Sequence, residues 1–159
     1  MALNLVTRLT DFNENYLFFC DPIRNNVING GNFIRFLYST EELTMNGLLI
    51  YISLEESQID RQLTKYRCNF SVTKHKDLIY SLSTLENIIL NKHNVSPSKR
   101  RKLQLGEQFS SGSVKLFDAP FLLENCLSTC KNYLLKISGI WETDTEYGLT
   151  YKFLSVCSV

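Results

Sequence analysis

The chain has 159 residues, of which 44% are hydrophobic and 12% aromatic, and its net charge is +1. This length and composition fit one globular domain with a buried core and exclude an intrinsically disordered chain. The apolar runs are too short for a transmembrane helix, and the N-terminal residues lack the features of a signal peptide. Five cysteines without a CxxC pair indicate reduced thiols, so we expect an intracellular protein, cytoplasmic or nuclear, that binds no membrane.

The first third of the chain predicts strands that follow a polar segment. Residues 1–30, rich in Asn near their end, predict a loose lead-in with a short strand around 16–20. NFIRFLYS (32–39) and LLIYISL (48–54) are dense in aromatic and β-branched residues, which predicts two strands. The dipeptide Asn46-Gly47 between them is typical of a hairpin turn.

The middle of the chain changes from a strand period to a helix period. Residues 55–63 predict a helical turn or loop. KYRCNFSV (65–72) alternates apolar and polar residues, which predicts a half-buried strand with Lys65 and Arg67 on its polar face. From 77 to 92 apolar residues recur every three or four positions, which predicts an amphipathic helix.

The last third predicts a basic loop and a closing hairpin. Residues 93–112 predict a polar connecting loop, and a short strand follows at 114–117. Residues 121–130 fit a helix or a strand equally well. Two further strands, 132–141 and 148–157, are predicted on either side of the turn ETDTEYG.

Three strands, a helix and two strands is the element order of the OB-fold, a small Greek-key barrel that commonly binds oligonucleotides. We therefore predict one mainly β domain over residues 1–159, with an OB-like barrel over 31–157. One amphipathic helix is expected between strands 3 and 4, together with extra short strands.

Enzymatic motifs are missing from the sequence: there is no GxxxxGK[ST], HExxH or GxSxG. His75 and His93 lie beside lysines, which favours surface histidines over metal ligands or general bases. Cys126 and Cys130 lack a second pair of ligands, and the carboxylates of ETDTE (142–146) are more typical of a solvated turn than of a cation site. We therefore predict no catalytic residue, no metal and no cofactor.

Charge is distributed unevenly along the chain. Residues 1–60 contain 3 Lys and Arg against 8 Asp and Glu (net −5), residues 61–102 contain 10 against 2 (+8), and residues 103–159 contain 4 against 6 (−2). A basic middle third indicates a surface for polyanions, with an ordinary solvated charge run as the alternative.

Binding of single strands needs cations along the phosphates and aromatic rings on which bases stack. The candidate residues are Tyr51, Lys65, Arg67, Lys74, Lys76, Lys99, Arg100, Arg101, Lys102, Lys136, Trp141, Tyr147, Tyr151 and Lys152.

Structural alternatives remain open for several of these residues. Tyr51 and Trp141 fit a core position as well as a stacking position, and for Tyr151 a core position is favoured. Trp141 and Tyr147 fit a cross-strand aromatic pair that stabilises the hairpin. The basic run Lys99 to Lys102 also fits a nuclear-import signal.

The stretch LLKISGIWETDTEYGLTYKF (134–153) resembles the terminal hairpin of single-stranded DNA-binding proteins encoded by large eukaryotic DNA viruses and related cytoplasmic linear elements. In that family a K-[IV]-S-G-[IV]-W run, a polar turn and G-L-T-[YW]-K-F close an OB-fold. GGNFIRFLYS, TMNGLLIYISL, LSTLENIIL and SSGSVKLF are compatible with the same group, so the likeness spans roughly residues 30 to 156. The resemblance implies a non-enzymatic replication or repair factor, and it carries a binding role onto Lys136, Trp141, Tyr147, Tyr151 and Lys152.

Two hypotheses follow for the function. The first is a sequence-tolerant single-stranded DNA-binding protein that coats single strands, with RNA as a further ligand and replication proteins as further partners. The alternative is a non-enzymatic interaction module, such as a virion or polymerase-accessory subunit. Its apolar C-terminal strand would extend the sheet of a partner or of a second copy of the chain.

Overall fold

The computed structural model describes residues 6–27, 30–117 and 131–156. Within these ranges it contains eleven strands and two α-helices, and short 3-10 turns occupy Leu9–Asp11 and Glu14–Tyr16. The mainly β class predicted from the sequence is confirmed. The strands are Leu17–Phe19 (β1), Ile23–Arg24 (β2), Asn32–Ser39 (β3), Thr44–Asn46 (β4), Leu48–Ser53 (β5), Gln58–Gln62 (β6), Lys65–Asn69 (β7), Arg100–Lys102 (β8), Ser113–Leu116 (β9), Asn132–Glu142 (β10) and Glu146–Ser155 (β11), and the helices are Lys76–Lys92 (α1) and Gln104–Ser110 (α2).

The long hairpin of β10 and β11 is the centre of a curled, eight-stranded sheet in the order β1-β3-β10-β11-β8. The other edge of β10 pairs with β3 over residues 139–142 and with β5 over residues 132–137. A bulge between Ile137 and Gly139 separates these two halves of β10. A second sheet, β6-β7-β9, reaches the first where the Phe117 N–H donates to the Phe153 carbonyl at 2.8 Å.

The core lies between the inner side of the sheet and the two helices. Tyr133, Phe36, Phe109 and Phe153 are among its largest fully buried side chains. The Phe153 ring stacks on Tyr133 with 4.9 Å between centroids and meets the edge of Phe109 at 5.4 Å. Helix α1 buries the apolar stripe that its period predicts, including Leu82 and other residues on the same face. The described part of the chain contains no helix that is long and apolar enough to cross a bilayer.

Several predicted elements match the structure closely. The strand predicted at 32–39 is β3 with the same bounds, and the short strand predicted around 16–20 is β1. Helix α1 begins one residue before its predicted start. In β7, Tyr66 and Cys68 are buried, and Lys65, Arg67 and Asn69 lie on the other side of the strand, as the alternation predicts. Lys136 and Lys152 are directly opposite each other in the closing hairpin. The predicted segment 121–130 lies outside the described residues.

Two segments predicted as loops contain regular secondary structure, and the predictions are wrong because these strands and this helix are short and mostly polar. Residues 55–63 contain β6, in which only Ile59 is buried, so no clear alternation marks the strand. The connecting loop predicted at 93–112 contains β8 and α2. Helix α2 has only two turns, and Leu105 and Phe109 anchor it in the core, so its periodic signal is weak. The expectation of a single helix is corrected accordingly.

The pairing of the first strands also differs from the prediction. Residues 32–39 and 48–54 were expected to form a hairpin, but β3 pairs with β4 and β5 pairs with β10. The cause is the turn at Gly47, whose φ of 85° directs the chain onto β10. A Cβ at this position would lie 2.6 Å from the Ile137 carbonyl oxygen, so only glycine allows this approach. The lead-in at 1–30 also contains β2, a second short strand that the sequence did not predict.

Candidate nucleic-acid interface

The strand register places one set of side chains on the solvent side of the eight-stranded sheet. Lys136 faces Lys152 across β10 and β11, and Trp141 faces Phe33 on the other side of β10. Directly opposite residues point to the same side of a sheet, and the alternate residues, such as Leu135, are buried in the core. The solvent side is called the outer face below. It includes Phe33, Arg35, Leu49, Tyr51, Leu134, Lys136, Gly139, Trp141, Gly148, Thr150, Lys152 and Leu154.

Glycines hold two aromatic rings close to the outer face. A Cβ at Gly148 would lie 3.0 Å from Cζ2 of Trp141, and a Cβ at Gly139 would lie 2.8 Å from the Phe33 ring. Each ring therefore occupies the space that a side chain on the neighbouring strand would take. The Arg35 guanidinium lies 5.9 Å from the centroid of the Phe33 ring. The outer face thus has two rings fixed by backbone geometry, with a cation beside one of them.

Tyr51 is the third ring of the outer face. Its side chain is 42% exposed, and its hydroxyl donates to Oδ1 of Asn132 at 2.6 Å, which fixes the ring beside β10. The structure therefore places Tyr51 at the surface rather than in the core. Tyr51 pairs with Leu134 and Phe33 pairs with Trp141, so the rings at the two ends of this face are about 20 Å apart.

Lys136 and Lys152 form a cationic pair between these rings. Both side chains are exposed, and they occupy directly opposite positions of an antiparallel ladder. Like charges in this arrangement destabilise a sheet. Among the described residues, neither lysine has a carboxylate within ion-pair distance, and the Lys152 Nζ lies 3.8 Å over the Phe117 ring. An anion at this position would relieve the repulsion.

The start of the basic run is neutralised within the fold rather than free for a polyanion. Lys99 forms an ion pair with Glu142, and the Nε2 atom of His93 lies 3.5 Å from the same carboxylate. Burial acts to raise the pKa of Glu142, but Lys99 and His93 together lower it overall. The His93 ring also packs on Phe19, with 5.2 Å between centroids, so the expectation that His93 is a surface residue is wrong.

The next cations of the run pair with the other acid of the hairpin turn. The parallel pairing of β8 with β11 sets Arg100 opposite Glu146. The Arg100 Nε donates to the Glu146 carboxylate at 2.9 Å, and the Lys102 Nζ lies 3.4 Å from it. The bond from Arg100 lowers the pKa of Glu146. Glu142 and Glu146 of the ETDTE turn therefore neutralise charges of the basic run.

Arg101 and Tyr147 lie on the inner side of the sheet. The Arg101 guanidinium donates to the Tyr147 hydroxyl at 3.2 Å and to Oδ1 of Asn87 at 3.2 Å. Tyr147 is 7% exposed and belongs to the core, so the structure does not present its ring for stacking. Trp141 pairs with Gly148 rather than with Tyr147, and the expected cross-strand pair of Trp141 and Tyr147 is wrong.

The remaining candidate cations lie away from the outer face. Lys65 and Arg67 are on β7 of the three-stranded sheet, where Lys65 is exposed and Arg67 donates two hydrogen bonds to β9. Lys74 pairs with Glu56, and Lys76 is the first residue of α1. The structure therefore does not bring the fourteen candidates into one surface.

A groove of about 320 Å³ adjoins the outer face, between β11, α2 and β9. Trp141, Tyr151 and Lys152 line one side of it, and Gln104, Gln108, Lys115 and Phe117 line the other. Burial raises the pKa of Tyr151, and its hydroxyl donates to the Gln104 carbonyl at 3.4 Å.

Sequence reasoning missed Arg35, Lys115 and the two glutamines. Arg35 and Lys115 occupy polar positions in alternating strands, so the strand pattern contained a signal for both. The glutamines gave no signal because α2 was not predicted.

The described residues contain no group of three or more His, Cys, Asp or Glu side chains that could hold a metal ion. Cys20 is partly buried and Cys68 is fully buried in the core, whereas Cys126 and Cys130 lie outside the described residues. We therefore take the outer face and the adjoining groove as the candidate site.

No protein family model, no curated protein and no solved structure matches this chain.

Proposed function

We propose that this protein binds single-stranded DNA with little sequence preference and coats single strands during DNA replication or repair inside the cell. The proposal includes no catalytic activity and no cofactor. The observation that carries it is the outer face, where the facing lysines Lys136 and Lys152 lie between the rings of Tyr51 and Trp141.

The chemistry of this face suits a single strand better than a duplex. Aromatic rings offer stacking partners to unpaired bases of any sequence, at about 1–3 kcal/mol per base. In a duplex the bases already stack on one another, and only phosphates remain available to a flat protein surface. The lysines supply the charge that phosphates need, and Glu146, the acid on the same side of β11, is engaged by Arg100.

An OB-like barrel is part of the proposal. Its support is the curl of the eight-stranded sheet and the hydrogen bond from Phe117 to Phe153, which brings β9 beside β11. OB-folds bind oligonucleotides on the exposed face of such a sheet, with site sizes of about 4–16 nucleotides.

The interaction-module alternative has less support. It requires β11 to add to the sheet of a partner, but β11 pairs with β10 along one side. On its other side it pairs with β8, and Phe117 donates to Phe153. Residues 157–159, which would extend this strand, lie outside the described residues.

The test is fluorescence anisotropy of a labelled oligo-dT of about 30 nucleotides at low and at moderate salt, with Trp141 emission followed in the same titration. The proposal predicts binding that weakens as salt rises, together with quenching of Trp141. Salt-insensitive binding or no binding would contradict it, and the interaction module would then be favoured. A ribo-oligomer of the same base sequence measures the preference for DNA over RNA, since the 2′-OH is the difference between them.

A further inference from the structure

We propose that the bound single strand continues from the outer face, through the groove between β11, α2 and β9, onto the three-stranded sheet. Lys65, Arg67 and Lys115 contact its phosphates there, and Phe117 is a further ring on which a base stacks. This inference rests on the proposed function, because it extends the path of the same strand. It makes the three-stranded sheet a second binding surface.

The groove joins the two surfaces. Trp141 and Lys152 belong both to the outer face and to one wall of the groove. Lys115 and Phe117, at the end of β9, belong to the other wall. The Phe117 N–H donates to the Phe153 carbonyl at 2.8 Å, so the end of β9 lies directly beside β11. A strand that stacks on Trp141 therefore reaches β9 without leaving the protein surface.

Phe117 offers a ring beside a cation in this groove. Its side chain is 58% exposed, whereas the preceding Leu116 is 3% exposed and belongs to the core. The Lys152 Nζ lies 3.8 Å from the centroid of the Phe117 ring, which is cation–π distance. A base that stacks on this ring therefore has a positive charge next to it for its phosphate, the combination that single-strand sites use.

The three-stranded sheet carries a facing pair of cations, as the outer face does. Lys115 lies directly opposite Arg67 in the ladder of β9 and β7, and Lys65 is two positions before Arg67, on the same side. The Arg67 Nε donates to Oγ of Ser113 at 2.8 Å, which fixes the guanidinium beside β9. Like charges in opposite positions destabilise a sheet, so a phosphate between them would relieve the repulsion.

The charges around this pair also favour an anion. Among the described residues, Lys65, Arg67 and Lys115 have no carboxylate within ion-pair distance. Asp60 faces Arg67 from β6, and its carboxylate accepts from the Asn69 side-chain amide at 2.6 Å. None of the described residues that line the groove is a carboxylate. The positive charge of the groove therefore continues over the three-stranded sheet.

The experiment measures the affinity for labelled oligo-dT of increasing length, from about 4 to about 16 nucleotides, by anisotropy. The Lys65→Ala/Lys115→Ala variant is expected to bind short oligomers as the wild type does, because the outer face alone holds them. With longer oligomers its affinity should fall several-fold below that of the wild type. Its slope of log affinity against log salt should also decrease by roughly 1.4, because two phosphate contacts are lost. Both lysines are exposed, so folding is expected to be preserved, and thermal unfolding checks this.

Lys74→Ala/Lys76→Ala is the matched control for the two removed charges, and it should follow the wild type at every length. Phe117→Ala tests the stacking ring: it should weaken binding of the longer oligomers by roughly 5- to 150-fold and leave the short ones unaffected. Tyr80→Ala, which removes a 75% exposed ring on α1, is its control and should leave the affinity unchanged at every length.

Each other outcome overturns a defined part of the account. If the Lys65→Ala/Lys115→Ala variant equals the wild type at every length, loses the same factor at every length, or is matched by the lysine control, the path over the three-stranded sheet is overturned and the proposed function stands. If this variant loses affinity with length but Phe117→Ala does not, the stacking role of Phe117 is overturned. Failure of the wild type to bind any oligomer would overturn both the path and the proposed function.

Discussion

Replacing both Lys136 and Lys152 with alanine tests whether the outer face neutralises phosphates. The two lysines face each other across β10 and β11, so one short stretch of backbone can contact both. Each neutralised phosphate of a single strand contributes about 0.7 to the slope of log affinity against log salt, so the double variant is expected to lower this slope by roughly 1.4. Between ~50 and ~200 mM salt, the variant should therefore lose roughly sevenfold less affinity than the wild type. Folding is expected to be preserved, because the change removes a pair of facing like charges.

The assay is anisotropy of labelled oligo-dT over a series of salt concentrations, with thermal unfolding as a check on folding. Lys74→Ala/Lys76→Ala is the matched control, since it also removes two cations, one just before α1 and one at its first residue, away from the outer face. Its slope is expected to equal that of the wild type. The reasoning is refuted if the slope of the Lys136 and Lys152 variant does not change, or if the control lowers the slope by as much.

Three further outcomes are expected. Tyr51→Ala should weaken binding of oligo-dT by roughly 5- to 150-fold, because a stacking ring is lost. The control Tyr80→Ala, which removes a 75% exposed ring on α1, should leave the affinity unchanged. Equal losses of affinity in the two variants would contradict the outer face as the binding site. Burial raises the pKa of Glu86 in the folded protein, so the stability that its protonated form confers is complete below the ordinary pKa of 4.5 and is lost as pH rises through the raised pKa. Glu86→Gln should remove this pH dependence, as measured by urea unfolding at a series of pH values from below 4.5 upwards. A pH dependence like that of the wild type would contradict the burial argument. Burial acts to raise the pKa of Glu142, but Lys99 holds it below 4.5, so its stabilising effect is present above 4.5 and is lost as pH falls through the native value. Glu142→Gln should cost about 1.5–3 kcal/mol at neutral pH and flatten the loss at acid pH, and a neutral effect would mean that this ion pair contributes nothing.

Elements with a strong period in the sequence were predictable, and those without one were not. The aromatic and β-branched run of β3 and the stripe of α1 each bury one continuous face, so the sequence shows the period directly. Strand β6 buries only Ile59, and β8 consists of three cations. These two strands exist because a neighbouring strand pairs with them, and a single-sequence pattern does not contain that information.

The site follows the same division. The phase of Tyr51 against its buried neighbours marked it as a candidate. Lys136 and Lys152 were also candidates, and the hairpin register places them opposite each other. The ion pairing of the basic run could not be predicted from the sequence, because Glu142, whose carboxylate neutralises Lys99, lies 43 positions away. Only the tertiary fold brings such charges together, and it pairs cations of the basic run with the carboxylates of the hairpin turn.

Ultraviolet cross-linking of oligo-dT to the wild-type protein, with the linked peptides identified by mass spectrometry, tests the central claim most directly. The account predicts cross-links in the peptides of β5, β10 and β11, at Tyr51 and Trp141 above all, because these rings contact the bases. Cross-links confined to α1 and its exposed Tyr80 would contradict the outer face as the binding site, and the absence of any cross-link under conditions of saturating oligonucleotide would contradict single-strand binding itself.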